Sequence, residues 1–180
     1  SKNGAAACSQ DYCPNGLQVE GSSNMKNIIT GVSASFDLLQ EAIKQKADAI
    51  IVHHGYFWKN EPQVITSMKK RRLKALLEHD INLYAYHLPL DIHPSLGNNV
   101  MLTEHLGIFN NIAPLVSLSP FGIVYQGDLS NPMSFDSLSS ILHDKLLHKP
   151  LGIQGHTNLI KKVAWCTGAG QGFIQQACDA

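Results

Sequence analysis

Ala49-Ile50-Ile51-Val52-His53-His54-Gly55 is an apolar, β-branched run that ends in two adjacent imidazoles and a glycine. The unbroken apolar stretch predicts a strand over Ala49–Val52, inside a sheet and covered on both faces. A second cluster, Tyr86-His87-Leu88-Pro89-Leu90-Asp91-Ile92-His93, follows after one helix-like and one strand-like segment. Histidine pairs and a histidine–carboxylate loop suit Zn²⁺, Fe²⁺, Mn²⁺ or Co²⁺ rather than a thiolate-bound soft metal.

Around these clusters the rhythm is strand, helix, strand. Ile28–Val32 is a short β run, and Ser33 or Ser35 caps a helix carrying Leu38, Leu39, Ala42 and Ile43 at helical spacing. Pro62 precedes a helix over Val64–Glu78, with Ile65, Met68, Leu73, Leu76 and Leu77 along one side. Ile81–Tyr86 is the next strand, and Asn98–Leu106 a helix ended by Gly107. Strands separated by helices of this length imply parallel βαβ units. Ligands in such sheets bind outside the carboxyl ends of the strands, so segments 32–35, 53–55 and 87–93 are expected to face one crevice.

The flanking regions are less regular. Ser1–Gln10 is small and polar and begins without Met, so the chain is expected to start inside an element. Asp11-Tyr12-Cys13-Pro14-Asn15-Gly16 is a turn signal before a short strand, Leu17–Glu20. Pro114–Pro120 and Gly122–Pro132 read as turn-rich strands or loops, Phe135–Leu147 as a helix and Lys162–Cys166 as a strand.

Composition narrows the function. With 180 residues, 44% of them apolar, the chain can bury a full core, and its zero formal charge lacks the basic bias of a nucleic-acid-binding domain. Lys69-Lys70-Arg71-Arg72 sits within an amphipathic pattern and reads as a solvated helix face. Cys8, Cys13, Cys166 and Cys178 have no metal-type or redox-type spacing and read as reduced, buried thiols. Without a membrane-length apolar stretch or a signal-peptide pattern, a soluble cytoplasmic protein is expected.

Adjacent histidines on a strand point to opposite faces; at its end they can splay towards two ions, or one can ligate while the other packs. The bland alternative is an imidazole hydrogen-bonded at a sheet edge. We take His53, His54 and Asp91 as candidate metal ligands, with His87 and His93 either orienting Asp91 or serving as loop residues. His79, His105, His143, His148 and His156 fall on helices or polar loops and read as surface or capping groups. Gly168-x-Gly170-x-Gly172 lies between a strand and a helix: it is a tight turn, or a phosphate contact at Gly168 and Gly170. Phe173 stands where a dinucleotide fingerprint needs its third glycine, which argues against a Rossmann-type binder.

The chain also matches itself at an offset of 135 residues: Lys26–Ile29 falls on Lys161–Ala164, Ser33–Ser35 on Gly168–Gly170, and Leu38–Ala42 on Phe173–Ala177. The first copy continues into the histidine motif, and the second stops at Ala180. A second set of ligands is therefore expected beyond Ala180.

Asp11 to Gly21, Ala49 to Trp58, and Ile81 to Asn99 closely resemble the YbgI-type, NIF-three-like proteins, often labelled GTP cyclohydrolase I type 2 homologues. Val163-Ala164-Trp165-Cys166-Thr167-Gly168 fits the start of that family's second repeat. The resemblance implies an α/β fold of two intertwined repeats with mixed, largely parallel sheets flanked by helices. The first repeat would span 1–112 and carry the metal motifs, and 113–180 would begin the second. It further implies two divalent ions per subunit in the full-length protein, a homohexameric ring, and a nucleotide or phosphoester ligand. His53 and His54 match the family's paired histidines and Asp91 its bridging-type carboxylate; a C-terminal His-x-x-x-Glu motif would complete the set. The expected activity is metal-dependent hydrolysis with water activated by metal, of the GTP cyclohydrolase type. The alternative is a non-catalytic, metal-containing ring that serves as a scaffold or regulatory partner.

Overall fold

The computed structural model describes residues 11–115, 121–156 and 158–180. The readings of Ser1–Gln10, of the Cys8 thiol and of the end of the Pro114–Pro120 segment lie outside these residues. The chain forms two compact units, one ending at Leu90 and the other beginning at Asp91.

The first unit is a four-stranded sheet with two helices. Its strands are β1 (Gly16–Val19), β2 (Ile28–Ser33), β3 (Ala49–His54) and β4 (Asn82–Ala85), in the order β1-β4-β3-β2. β2, β3 and β4 run parallel, in register Ile28↔Ala49 and Ala49↔Asn82, as the βαβ pattern requires. β1 adds an antiparallel edge on β4 with a bulge at Gln18. Helix α1 (Phe36–Lys44) follows β2, and α2 (Ser67–Glu78) follows β3. Leu39 and Ala42 of α1 and Leu73 and Leu76 of α2 pack with Ile50, Val52, Leu83 and Ala85 in one core.

The local chemistry accounts for the helix ends. Of the two serines offered as caps, Ser35 is used: its hydroxyl accepts the Leu38 N–H at 3.2 Å. α1 and α2 end alike, with Lys46 and Asp80 left-handed at φ 53° and 50°. Each is followed by a buried residue whose N–H reaches back five positions, Ala47 to Ala42 O at 2.9 Å and Ile81 to Leu76 O at 3.0 Å. This closure satisfies terminal carbonyls while driving an apolar side chain under the helix, which sets the start of the next strand.

Several expectations shift. α2 begins at Ser67 rather than Val64, because Thr66 holds an extended cap conformation, φ −131°; Ile65 precedes the helix, and it, Met68 and Leu77 are exposed. The basic run on α2 is more than a solvated face. Lys69 pairs with Glu61 at 3.3 Å and lies over Phe57, while the Arg71 and Arg72 guanidinium groups lie over Phe36 and Tyr56. β3 continues through His53 and His54, so the imidazoles are strand residues rather than the loop after it. The segment after β4 is not all loop, since Leu88–Asp91 forms a single helical turn, α3.

The second unit is built on an antiparallel sheet, order β5-β6-β7, of Phe109–Pro114, Tyr125–Met133 and Ile160–Trp165. Helix α4 (Asn98–Leu106) precedes it and ends at left-handed Gly107, φ 65°. α5 (Phe135–Leu146) follows β6, capped by Ser134 accepting the Ser137 N–H. After β7 come a 3₁₀ turn (Gly170–Phe173) and α6 (Ile174–Cys178). Strand β5 had no clear signal, because Asn110 and Asn111 interrupt its apolar pattern. Cys166 lies just past β7 instead of in it. Cys13, Cys166 and Cys178 are free thiols; Cys13 is buried as expected, but Cys178 is exposed because the short α6 buries no side chain.

Candidate metal centre

The carboxyl ends of β3 and β4 bring three histidines together. His53 has the strand parity of Ile51, and His54 that of Ile50 and Val52. At the strand end the two rings nevertheless splay to the same region, with centroids 4.5 Å apart. The His87 ring, two residues past β4, lies 5.2 Å from that of His53 and 5.7 Å from that of His54. The ligating atoms of these three side chains all lie within 4.8 Å of one another.

Each ring is oriented by a partner at Nδ1. His53 Nδ1–H donates to the Tyr86 carbonyl at 2.8 Å. His54 Nδ1 meets the Ser33 hydroxyl at 3.2 Å, across the parallel pair β2–β3. His87 Nδ1–H donates to Asp11 Oδ1 at 2.6 Å. A carbonyl and a carboxylate only accept, so the Nδ1 protons of His53 and His87 are assigned, and in the neutral ring the lone pair is on Nε2. Backing an imidazole with an oxygen in this way is how metal-binding histidines are held. Trp58 stands edge-on to His87 at 5.0 Å and forms one wall of the group.

The 11–16 turn supplies the support. The Asp11 carboxylate accepts four hydrogen bonds: Tyr12 N–H and His87 on Oδ1, Asn15 Nδ2 and Leu88 N–H on Oδ2. Asn15 Oδ1 accepts the His87 N–H at 2.7 Å, so this turn grips His87 through side chain and backbone. Burial works to raise the Asp11 carboxyl, and the four hydrogen bonds outweigh it and hold the group below the usual carboxylate range. Burial first, and then the Asp11 charge, push the Cys13 thiol up to about 11, so without a metal it is protonated at neutral pH. Asp11, Cys13 and His87 also lie close enough to hold an ion. With Asp11 committed to four donors and Cys13 protonated, that group serves as a buttress.

Gly55 closes the strand end. A Cβ there would lie 2.7 Å from Ala85 Cβ and collide with Gln18 Oε1, which accepts the Tyr56 N–H. The β1 bulge aims Gln18 at this spot. Gly55→Ala is expected to destabilise the protein by about 1–3 kcal/mol through overpacking, read as a lower midpoint in urea.

The other predicted residues are held as follows. Asp91 is buried and accepts from Asn98 Nδ2 at 2.6 Å. His93 Nδ1 accepts the Leu96 N–H at 3.0 Å and so braces its own turn. The Gly170 N–H donates to Gly168 O at 3.0 Å, and a Gly170 Cβ would meet Cys166 Cβ at 2.8 Å; both features belong to a tight turn. Of the remaining histidines, His79 Nδ1 takes the Ala75 carbonyl in the last turn of α2, and His105 Nε2 the Lys145 carbonyl. Asp11, Asn15, Trp58 and Asn98 were not picked out as site residues. The available signal was the placing of Asp11 and Asn15, two residue types whose side chains bond nearby backbone, within one turn-forming segment.

A family model described as Duf34/NIF3 (NGG1p interacting factor 3) matches residues 5–180. The chain belongs to this family. The GTP cyclohydrolase 1 type 2 homolog of Vibrio cholerae is 49% identical over 172 residues, covering 94% of this chain and 68% of that protein. The Salmonella typhimurium protein of the same name is 53% identical over 176 residues, covering 96% and 68%. A solved structure described as protein ybgI, of unknown function, superposes with a TM-score of 0.88 at 47% identity, covering 99% of this chain and 70% of that one. TTHA1606 from Thermus thermophilus gives 0.82 at 32% identity, covering 97% and 69%. This NIF3 chain thus has the mixed α/β fold of its relatives and a group of histidines, His53, His54 and His87, close enough together to hold a metal. Among the described residues no helix is long and apolar enough to cross a membrane.

Proposed function

We propose that this NIF3-family chain binds divalent metal through His53, His54 and Asp91, as part of a two-ion centre that serves a hydrolytic reaction. The observation that carries the reading is the convergence of imidazoles at the carboxyl ends of β3 and β4, with Nδ1 of His53 held by a carbonyl. Nitrogen and carboxylate donors beside a protonated Cys13 suit Zn²⁺, Fe²⁺, Mn²⁺ or Co²⁺. Bound there, the ions supply Lewis acidity for attack on a carbon or phosphorus centre. The chain's own part is to hold neutral imidazoles in one orientation. A nucleotide or phosphoester substrate extends the reading from the relatives' name, GTP cyclohydrolase 1 type 2 homolog, and assembly into a ring of six copies extends it from the family resemblance of the sequence alone.

Elemental analysis tests the metal part directly. The chain is expected to carry divalent metal, and the double variant His53→Ala, His54→Ala to lose it; equal metal content in both would overturn the reading. Metal retained without turnover of any nucleotide or phosphoester would favour a scaffold over an enzyme. Light scattering tests the ring through the mass of the assembly.

A further inference from the structure

We propose that the groove between α1 and α2 binds a small phosphate-bearing molecule, with the Arg71 guanidinium as its anchor and Lys74 beside it. This site uses none of the residues of the metal centre.

α2 carries five cations within six positions, Lys69, Lys70, Arg71, Arg72 and Lys74, on a chain whose formal charge is zero. Two of them are answered by carboxylates, Lys69 by Glu61 and Lys74 by Glu78, both at 3.3 Å. Among the described residues Arg71 and Arg72 form no ion pair, and the buried Nε of Arg72 has no hydrogen-bond partner. Aromatic rings hold both. The Arg71 guanidinium lies 4.2 Å over Phe36, and that of Arg72 5.9 Å over Tyr56, whose hydroxyl donates to Ala34 O at 2.8 Å. Both cations are thereby kept beside the start of α1. Ring stacking explains where the two guanidinium groups sit; it leaves their charge without an anion.

A groove of about 340 Å³ lies between the helices, with Phe36, Gln40 and Ile43 of α1 on one wall and Arg71 and Lys74 of α2 on the other. Small-molecule sites begin at about 300 Å³. The one carboxylate in the wall, Glu78, is already paired with Lys74, so the uncompensated charge is that of Arg71. Arg71 and Lys74 are three positions apart on one helix face, where a single group with three oxygens meets both. A guanidinium fixed on a ring keeps its N–H edge available, and that planar fork takes a phosphate in two parallel hydrogen bonds. The Gln40 amide adds a donor, while Phe36 and Ile43 offer apolar surface to the rest of the molecule.

Titration of the whole chain with inorganic phosphate, followed by backbone amide NMR shifts against chloride at matched ionic strength, tests this. Saturable shifts are expected at the residues lining the groove, and sn-glycerol 3-phosphate should bind there at least as tightly. Arg71→Gln should weaken both at least about ten-fold. Arg71→Lys keeps the charge without the planar fork and should fall between Arg71→Gln and the parent. Lys70→Gln removes an equal charge from the same helix outside the groove, and should change affinity by less than about two-fold. The amide spectrum itself shows whether each variant is folded. Shifts that never saturate, or equal losses in Lys70→Gln and Arg71→Gln, would mean diffuse attraction to a basic helix and overturn the site. Binding of phosphate without the ester also overturns it. Saturable shifts confined to the neighbourhood of His53 and His54 would move the anion to the metal centre, so that the groove site falls and the metal reading stands.

Discussion

Asp11→Ala is expected to cost about 3 kcal/mol of stability, because it strips four donors of one acceptor at a stroke. The side chain is fully buried, and its oxygens hold the Tyr12 and Leu88 N–H groups, the Asn15 amide and His87. Hydrogen bonds to a charged group contribute more than neutral ones, and donors left without a partner away from water carry the full desolvation penalty. For a chain of 180 residues, 3 kcal/mol corresponds to a melting temperature lower by roughly 6–12 °C. Asp11→Asn keeps the shape and part of the accepting capacity, so its loss should be smaller.

The same bonds determine the sign of the pH response. The Asp11 carboxyl lies below its ordinary value in the folded protein, so the folded state binds its proton less readily than the unfolded state does. The resulting stabilisation is present in full above the unfolded value, about pH 4, and is lost as the pH falls through the lower folded value. The stability gap between the parent and Asp11→Asn should therefore be constant near neutrality and narrow in acid. A gap that widened in acid would contradict the four-bond account.

Asn99→Leu is expected to cost about 3–4 kcal/mol, all of it within the second unit. Asn99 is fully buried on α4 and joins two chain segments remote in sequence. Its amide donates to Ile123 O at 2.9 Å, and its Oδ1 accepts the Thr167 N–H at 2.8 Å, just past β7. Its backbone carbonyl takes Thr103 Oγ1 at 2.8 Å and Trp165 Nε1 at 3.2 Å. Leucine fills the space but strands a buried donor and a buried acceptor. Asn99→Asp is the sharper control: it keeps the acceptor for Thr167 and turns the donor into a charge facing the Ile123 carbonyl. Both variants should unfold at lower urea. Hydrogen exchange at the Thr167 amide should speed up in Asn99→Leu and much less in Asn99→Asp, and equal rates in the two would remove Asn99 as the pin.

How the site could be read differs from residue to residue. The histidine pair was visible because it ends an apolar strand, and strand parity and burial are nearest-neighbour properties of a sequence. Ser35 and Gly107 were visible for the same reason, since a cap acts within one turn of its own helix. Asp91 stood out as a carboxylate close to histidines, but its partner Asn98 did not, because the turn between them has no period. His87 looked like an accessory to Asp91. The structure places it instead with His53 and His54, through a carboxylate 76 positions earlier.

By itself, then, the sequence determined the strand–helix alternation of the first unit, the parallel pairing of β2, β3 and β4, and the family, all of which rest on local pattern. Tertiary structure alone decided that β1 joins β4 antiparallel, that the second sheet is antiparallel throughout, and that Asp11 and Asn15 stand behind His87. Strand order and long-range hydrogen bonds depend on which surfaces meet once the apolar faces are buried. That choice leaves no periodic mark on the residues that carry it.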